Sequence, residues 1–431
     1  MARERQVLVR GGTVVDATGS RRADVLVKGE VVADVGQKLG SAPAGAVVLD
    51  AAGCFVAPGL VDLHTHLREP GAEESETIET GARAAAIGGY TAVVAMPNTE
   101  PAADSAAVVS HVLDLAKGAC CDVRPAGTVT VGRHGKALAP MAEMAALGVR
   151  IFTDDGAVVE SSSLMRRALE YASGLGVVVA DHCEDVSLVG DGCINEGALS
   201  SRLGLPGRPS VAEEIVVARD IALARLTGAR LHLLHLSCAR SVAAVRWARA
   251  EGIAVTAEVT PHHLVLTEEA LASYDTAAKV NPPLRTAADA DALRAGLEDR
   301  TIDAVATDHA PHPPEAKQVA FCDAAPGLIG LETALALVLG DVGLPVEKVL
   351  AVMSWQPAAI AGLTGTHGGP VAPGVPANLC VIDPERHWVV EPAALASRSR
   401  NTPFAGRELK GRSRHTVLAG EPVVIGEEAQ R

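Results

Sequence analysis

Eight apolar, β-rich runs recur along the middle of this 431-residue chain: 55–67, 90–98, 123–130, 149–155, 177–183, 230–237, 253–260 and 303–310. Between most of them lie Ala-, Leu-, Arg- and Glu-rich stretches of helical character, such as 76–87 and 163–174. Near-continuous apolar strands that alternate with helices predict a parallel sheet covered on both faces. Eight such units predict an α/β fold of the (β/α)8, TIM-like barrel type, with its site at the C-terminal ends of the strands. A barrel needs about 250 residues, so this chain has residues to spare. The surplus sits at the ends. Residues 6–50 ("QVLVRGGTVVDATG", "ADVLVKGEVVADVG") and the stretches "PANLCVIDPERHWVV" and "HTVLAGEPVVIG" near the other end alternate Val with turn residues. The two ends are expected to pair into one small β-sandwich domain. The expected division is 1–54 and 368–431 for that domain and 55–367 for the barrel.

Polar residues fall at the same end of six strand runs. The first gives His64, His66 and Arg68, the second Asn98, the fourth Asp154 and Asp155. The fifth gives His182, the sixth His232 and His235, the eighth Asp308, His309 and His312. On a strand His64, His66 and Arg68 would share one face, since side chains alternate with a period of two. One buried His or Asp is readily explained as a satisfied core residue; six strands agreeing on one end are not. Four imidazoles and two carboxylates suit one or two zinc-like ions. Two ions would share a carboxylate from strand four, and Asp154 and Asp155 both qualify.

Composition narrows the partners. The formal net charge is −14, which argues against a nucleic-acid surface. An anionic substrate would need local positive charge from Arg or a metal. The eight cysteines are scattered without a CxxC pair, so no disulfide framework is expected. "MARERQVLVR" lacks the apolar segment of a signal peptide, and no run of 18 apolar residues suggests a membrane span. These readings predict a cytoplasmic protein with neither membrane nor nucleic-acid contact.

The pieces "VDLHTHLREPG", "AMPNT", "FTDDG", "DHCED", "LHLLHLS", "TPHHL", "NPPLR", "TDHAPH" and "GLIGLET" resemble, in order and spacing, the long bacterial dihydroorotases of the amidohydrolase superfamily. The resemblance implies zinc, one or two ions per subunit. It implies His64, His66 and Asp308 on the first ion, His182 and His235 on the second, and Asp155 as the bridge. Relatives such as hydantoinases carry a carboxylated lysine at the bridging position; "FTDDG" has none. Asp308 is the implied general acid/base. His66, Arg68, Asn98, Asn281, His312, Pro326 and Gly327 are implied substrate contacts, with Arg68 gripping the ring carboxylate. The family usually has Phe-Gly where this chain has Pro326-Gly327. Proline has no N–H to give, which leaves Gly327 as the expected backbone donor. The stretch 311–326 is expected to be a mobile loop over the site. His232, His262, His263 and His309 are read as supporting residues, and Cys183 and Cys238 as packing. The implied activity is reversible conversion of dihydroorotate and N-carbamoyl-L-aspartate in pyrimidine synthesis. A homo-oligomer, a dimer, is expected, with aspartate transcarbamoylase as a possible partner. The competing readings are another cyclic amidase (allantoinase or hydantoinase) and an inactive scaffold of that transcarbamoylase.

Overall fold

The computed structural model describes residues 5–431. All eight runs become barrel strands: β1 Leu60–Thr65, β2 Tyr90–Ala95, β3 Asp122–Pro125, β4 Ile151–Phe152, β5 Val178–Asp181, β6 Leu231–Leu233, β7 Val255–Val259 and β8 Ala304–Val305. Every pairing among them is parallel. Two single bridges close the ring, Gly127 to Phe152 between β3 and β4, and Thr65 to His309 between the strand-eight end and β1. The interior is lined by small and branched side chains such as Val61, Leu63, Ala92, Val94, Ala180 and Ala306. With so few aromatic residues available, Val, Ala and Leu fill the barrel.

The helices dock by one apolar stripe each. Ser162–Leu175 buries Met165, Ala168, Leu169 and Ala172, spaced for one helical face. Ser161 caps its start by accepting from Leu164 N–H, and Gly176, at φ 69°, ends it in the left-handed conformation.

The first apolar run, 55–67, serves two sheets. Phe55–Pro58 pairs with Leu379–Val389 in a seven-stranded sheet, and only Leu60–Thr65 enters the barrel. That sheet also takes in Thr13–Asp16, Glu408–Leu418 and Glu421–Ile425. A second sheet, of Gln6–Arg10, Asp24–Lys28, Val31–Gly36 and Val47–Asp50, packs on it through Val7, Val9, Val25, Val56, Leu379 and Val417. Both chain ends therefore build one β sandwich. Among the described residues no helix is long and apolar enough to cross a membrane.

The cysteines differ from expectation at one place. Cys193 and Cys322 form a disulfide between two loops 129 positions apart, with Cα atoms 5.4 Å apart. Spacing in the sequence gave no sign of it. The other six are free and buried.

Candidate active site

β1 ends at Thr65, so His64 lies in the strand and His66 just past it, where its N–H bonds the His309 carbonyl at 2.8 Å. Both rings point at two carboxylates. His64 Nε2 is 3.3 Å from Asp155 Oδ2 and 3.6 Å from Asp308 Oδ1. His66 Nε2 is 3.5 Å and 3.2 Å from the same two atoms. On the other side, Asp155 Oδ1 lies 3.5 Å from His182 Nδ1 and 3.4 Å from His235 Nε2. One carboxylate thus turns an oxygen to each pair of imidazoles. Ligand atoms around a tetrahedral ion with bonds near 2.1 Å lie about 3.4 Å apart, which is the spacing found.

The donor set is consistent with a bound metal. His64 Nε2 is fully buried and lacks any hydrogen-bond partner, a costly state for a polar atom unless a cation meets it. His182 Nδ1 and His235 Nε2 face each other at 3.0 Å, which suits lone pairs converging on one positive charge. Burial pushes the Asp155 carboxyl up, but His64, His182 and His235 outweigh it and hold it well below the usual range. Burial likewise raises Asp308, and His64 and His66 more than reverse it. Both carboxylates stay ionised.

Asp154 takes a different role. Its Oδ1 accepts from Val129 N–H at 2.9 Å and Thr130 N–H at 3.0 Å, and the Thr130 hydroxyl donates to Oδ2. It fixes the loop after β3, while Asp155 alone enters the cluster.

An outer layer aims the ligands. His64 Nδ1 meets Glu258 Oε1 at 3.0 Å, and the other Glu258 oxygen meets His232 Nε2 at 3.1 Å. Burial raises Glu258, yet His232 and His64 bring it down to about 2. A carboxylate behind a metal-facing imidazole sets its tautomer and raises its basicity. Glu258 escaped the sequence reading, although a lone carboxylate in the apolar run "AVTAEVT" was a visible signal. Asn98 Oδ1 holds His66 Nδ1 at 2.9 Å, and Glu76 holds His309 Nε2 at 3.2 Å. Arg208 donates to Asn281 Oδ1 and, at 3.0 Å, to Glu184, which itself flanks His182. His263 bonds Thr260 and the Pro282 carbonyl. Cys183 and Cys238 lie buried outside the cluster, Cys238 against Glu213 and Ser241.

Arg68 departs from the strand-face expectation. The strand has ended, and the chain turns through φ 62° at Arg68. Its side chain still reaches the site, with Nε 3.3 Å from the Pro311 carbonyl and Nη2 3.5 Å from His312 Nε2. His235 and Asp308 also hold positive φ, 26° and 45°. Such strain in non-glycine residues gathers where surrounding structure fixes a functional side chain.

The stretch 311–326 is tied down rather than loose. Lys279 Nζ donates to the carbonyls of Phe321, Cys322 and Ala324 at 2.6–2.8 Å. Lys317 Nζ donates to Ala325 and Gly327 at 2.8 and 2.9 Å. The free donor expected at Gly327 is absent, because its N–H already bonds the Lys279 carbonyl at 2.8 Å. Pro326 offers only its carbonyl, which meets His312 Nε2 at 2.9 Å. Gly327 is needed for space: at φ 136°, a Cβ there would come within 2.6 Å of the Ala310 side chain. Beside the cluster opens a polar cavity of about 530 Å³ lined by Arg208, Lys279, Asn281, Cys322 and Pro326.

A sequence-family model described as Dihydro-orotase-like matches residues 53–241. A dihydroorotase of Streptomyces coelicolor is 52% identical over 427 residues, 97% of this chain and 98% of the relative. The chain belongs to the dihydroorotase family. A dihydroorotase of Mycobacterium tuberculosis is 50% identical, covering 96% of this chain and 97% of its own length. Among solved structures, the L-hydantoinase (dihydropyrimidinase) of Arthrobacter aurescens superposes with a TM-score of 0.89 at 25% identity, over 99% of this chain and 97% of that one. The chain thus shares its barrel-and-sandwich frame with that hydantoinase.

Proposed function

We propose that this chain hydrolyses dihydroorotate to N-carbamoyl-L-aspartate and closes the ring in reverse, the direction of pyrimidine synthesis. The reading rests on its near-full-length likeness to dihydroorotases. The carrying observation in the site is that Asp155 turns one oxygen to His64 and His66 and the other to His182 and His235.

His64, His66, Asp155, His182, His235 and Asp308 would hold the metal, read here as zinc, one or two ions per subunit. When bound, a divalent cation polarises the ring carbonyl and acidifies water. The protein's own side chains do the rest. Arg68 and His312 bind the ring carboxylate, Arg68 through a guanidinium whose paired donors match a carboxylate. Asn281 lines the polar cavity beside the cluster. Asp308 gives Oδ1 to His64 and His66, which leaves Oδ2 to take the proton of the attacking water. It then delivers that proton to the departing ring nitrogen as the C–N bond breaks. Asn98 keeps His66 in register throughout.

The structural neighbours favour one alternative, hydantoin hydrolysis. Arg68 beside His312 weighs against it, since a hydantoin ring carries no carboxylate for them. The test is turnover of dihydroorotate, an uncharged hydantoin and allantoin by the metal-analysed protein, with and without aspartate transcarbamoylase and with its mass in solution measured. Faster turnover of either neutral ring would replace this reading. A metal-free, inactive protein would favour the scaffold, and a dimer is the expected mass.

A further inference from the structure

The segment 396–402 belongs to neither a barrel strand nor a barrel helix, yet it is laced across the barrel mouth. The Ser397 hydroxyl and the Arg398 N–H donate to Glu76, the carboxylate that holds His309. Ser399 Oγ donates to the Ser75 carbonyl at 2.6 Å. The last contact is made by Asn401, which is 8% exposed. Its Nδ2 donates to the Ala310 carbonyl at 3.0 Å and to the Gly327 carbonyl at 3.1 Å. Its Oδ1 accepts the His312 N–H at 3.1 Å, and its own carbonyl accepts Ile329 N–H at 3.0 Å.

Chemistry fixes the direction of this amide. Two carbonyls on one side need donors, and one N–H on the other needs an acceptor. A flipped amide would set oxygen against oxygen twice. Only an amide supplies both kinds of group; aspartate lacks the donors and alanine lacks everything. The three partners are not arbitrary. Ala310 and His312 follow the Asp308 strand end, and Gly327 follows the loop whose Pro326 carbonyl meets His312 Nε2. Arg68 contacts Pro311 and His312. Asn401 therefore joins the backbones on both sides of the His312 ring.

We propose that Asn401 is a positioning residue that sets His312 and the Pro326–Gly327 turn against Arg68, and so determines recognition of the substrate carboxylate. The proposal deepens the dihydroorotase reading and rests on it. It gives the segment that returns from the small domain a part in specificity. Asn401 touches no reacting atom, and the carboxylate lies away from the bond that breaks. Losing its contacts therefore weakens substrate and transition state alike, which raises KM and spares kcat.

The experiment uses Asn401→Ala and Asn401→Asp in the full-length, metal-loaded protein. For each, kcat and KM for dihydroorotate, metal content and hydrogen exchange over residues 310–329 are measured. The expected result is a KM raised roughly 10- to 100-fold, the scale of two or three lost hydrogen bonds, with kcat within a few-fold and metal unchanged. Exchange over 310–329 should quicken. Asn401→Asp should not restore KM at pH 8, because it cannot donate to two carbonyls. In His312→Ala, adding Asn401→Ala should cost little more, since the two act through one contact. A wild-type KM in a folded variant, full additivity with His312→Ala, or rescue by Asp overturns the proposal. Should Asn401→Ala fail to fold, Asn401→Ser, able to serve one of the three contacts, replaces it with the same criteria. If the wild type does not turn over dihydroorotate, the functional reading has failed. The exchange arm then still decides whether Asn401 holds the His312 turn.

Discussion

The end of strand β5 carries carboxylate, imidazole and thiol in three successive residues, Asp181 in the strand and His182 and Cys183 just past it, and the two sides use them in opposite ways. Inward, His182 joins Asp155 and His235. Outward, Asp181 and Cys183 meet Asp220 on the helix Val211–Thr227, near enough together to form a second metal-like triad. The outer group is neutralised from within the chain: Arg219 lies 3.4 Å from Asp181 Oδ2 and 2.7 Å from Asp220 Oδ1. Burial, and then the Asp220 carboxylate beside it, pushes the Asp181 carboxyl well above its ordinary 3.8. Inside, the Asp155 and Asp308 side chains meet only imidazoles, and both are held low. Residue types alone do not separate the two groups. A guanidinium already in place marks one as a structural ion cluster, while imidazoles and carboxylates converging with no cation among them make the other the candidate metal site.

That contrast can be broken experimentally, most forcefully at Asp308. Asp308→Asn should leave a folded, metal-binding protein whose kcat falls about 10²–10⁴-fold, the worth of a general acid/base; a rate within a few-fold of wild type would remove Asp308 from that role. Arg68→Lys keeps the charge and loses the planar fork. Losing one charge-assisted bond costs roughly 1.5–3 kcal/mol, so kcat/KM for dihydroorotate should fall about 10- to 150-fold. Metal analysis should read unchanged, and a variant that loses metal would show that Arg68 holds the ligand residues in place rather than the substrate. Glu258→Gln tests the outer layer. Metal affinity, followed by chelator competition, should weaken about 10- to 100-fold, and undiminished affinity would make Glu258 a packing residue.

The smallest effect is expected on the outer face. Asp181→Asn should keep kcat/KM within about twofold of wild type, because no ligand or substrate contact is lost. Its signature lies in stability against pH. The folded pKa of Asp181 lies above its unfolded value, so its protonated form stabilises fully below about pH 4. That contribution is lost as pH rises through the folded value. An amide cannot ionise, so thermal midpoints of Asp181→Asn between pH 4 and 8 should fall less than those of the wild type. Parallel curves would show that Asp181 does not hold its proton.

The barrel was legible because alternating apolar and helical runs carry their own period: seven of the eight strands fall inside an expected run, and the third, Asp122–Pro125, starts one residue ahead of its run. The site was legible at strand ends for the same reason. What stayed hidden depends on backbone paths and distant partners. Asp154 and Asp155 are neighbours of one type that residue chemistry alone does not separate; the family resemblance chose Asp155, and the physical reason, the loop after β3 that holds Asp154, shows only in the fold. Arg68 reaches the site through a positive-φ turn that strand alternation does not describe. Gly327 looked like a donor until Lys279 was seen to occupy its N–H. Asn401 gave no signal at all, because its partners lie some 70–90 positions away.

The shared sheet has a consequence in time. Pro58 and Cys380 touch across 322 positions of chain; Phe55–Pro58 has an early partner in Thr13–Asp16 on one edge, but the partner of its other edge is Leu379–Val389. At about 5–20 residues per second, a ribosome leaves that second edge uncovered for on the order of tens of seconds. Throughout that interval the nascent chain carries an open apolar β edge, the kind of surface that recruits other chains. Translation speed and chaperone cover over the barrel-coding stretch therefore bear on the yield of this enzyme as directly as any contact in its finished core.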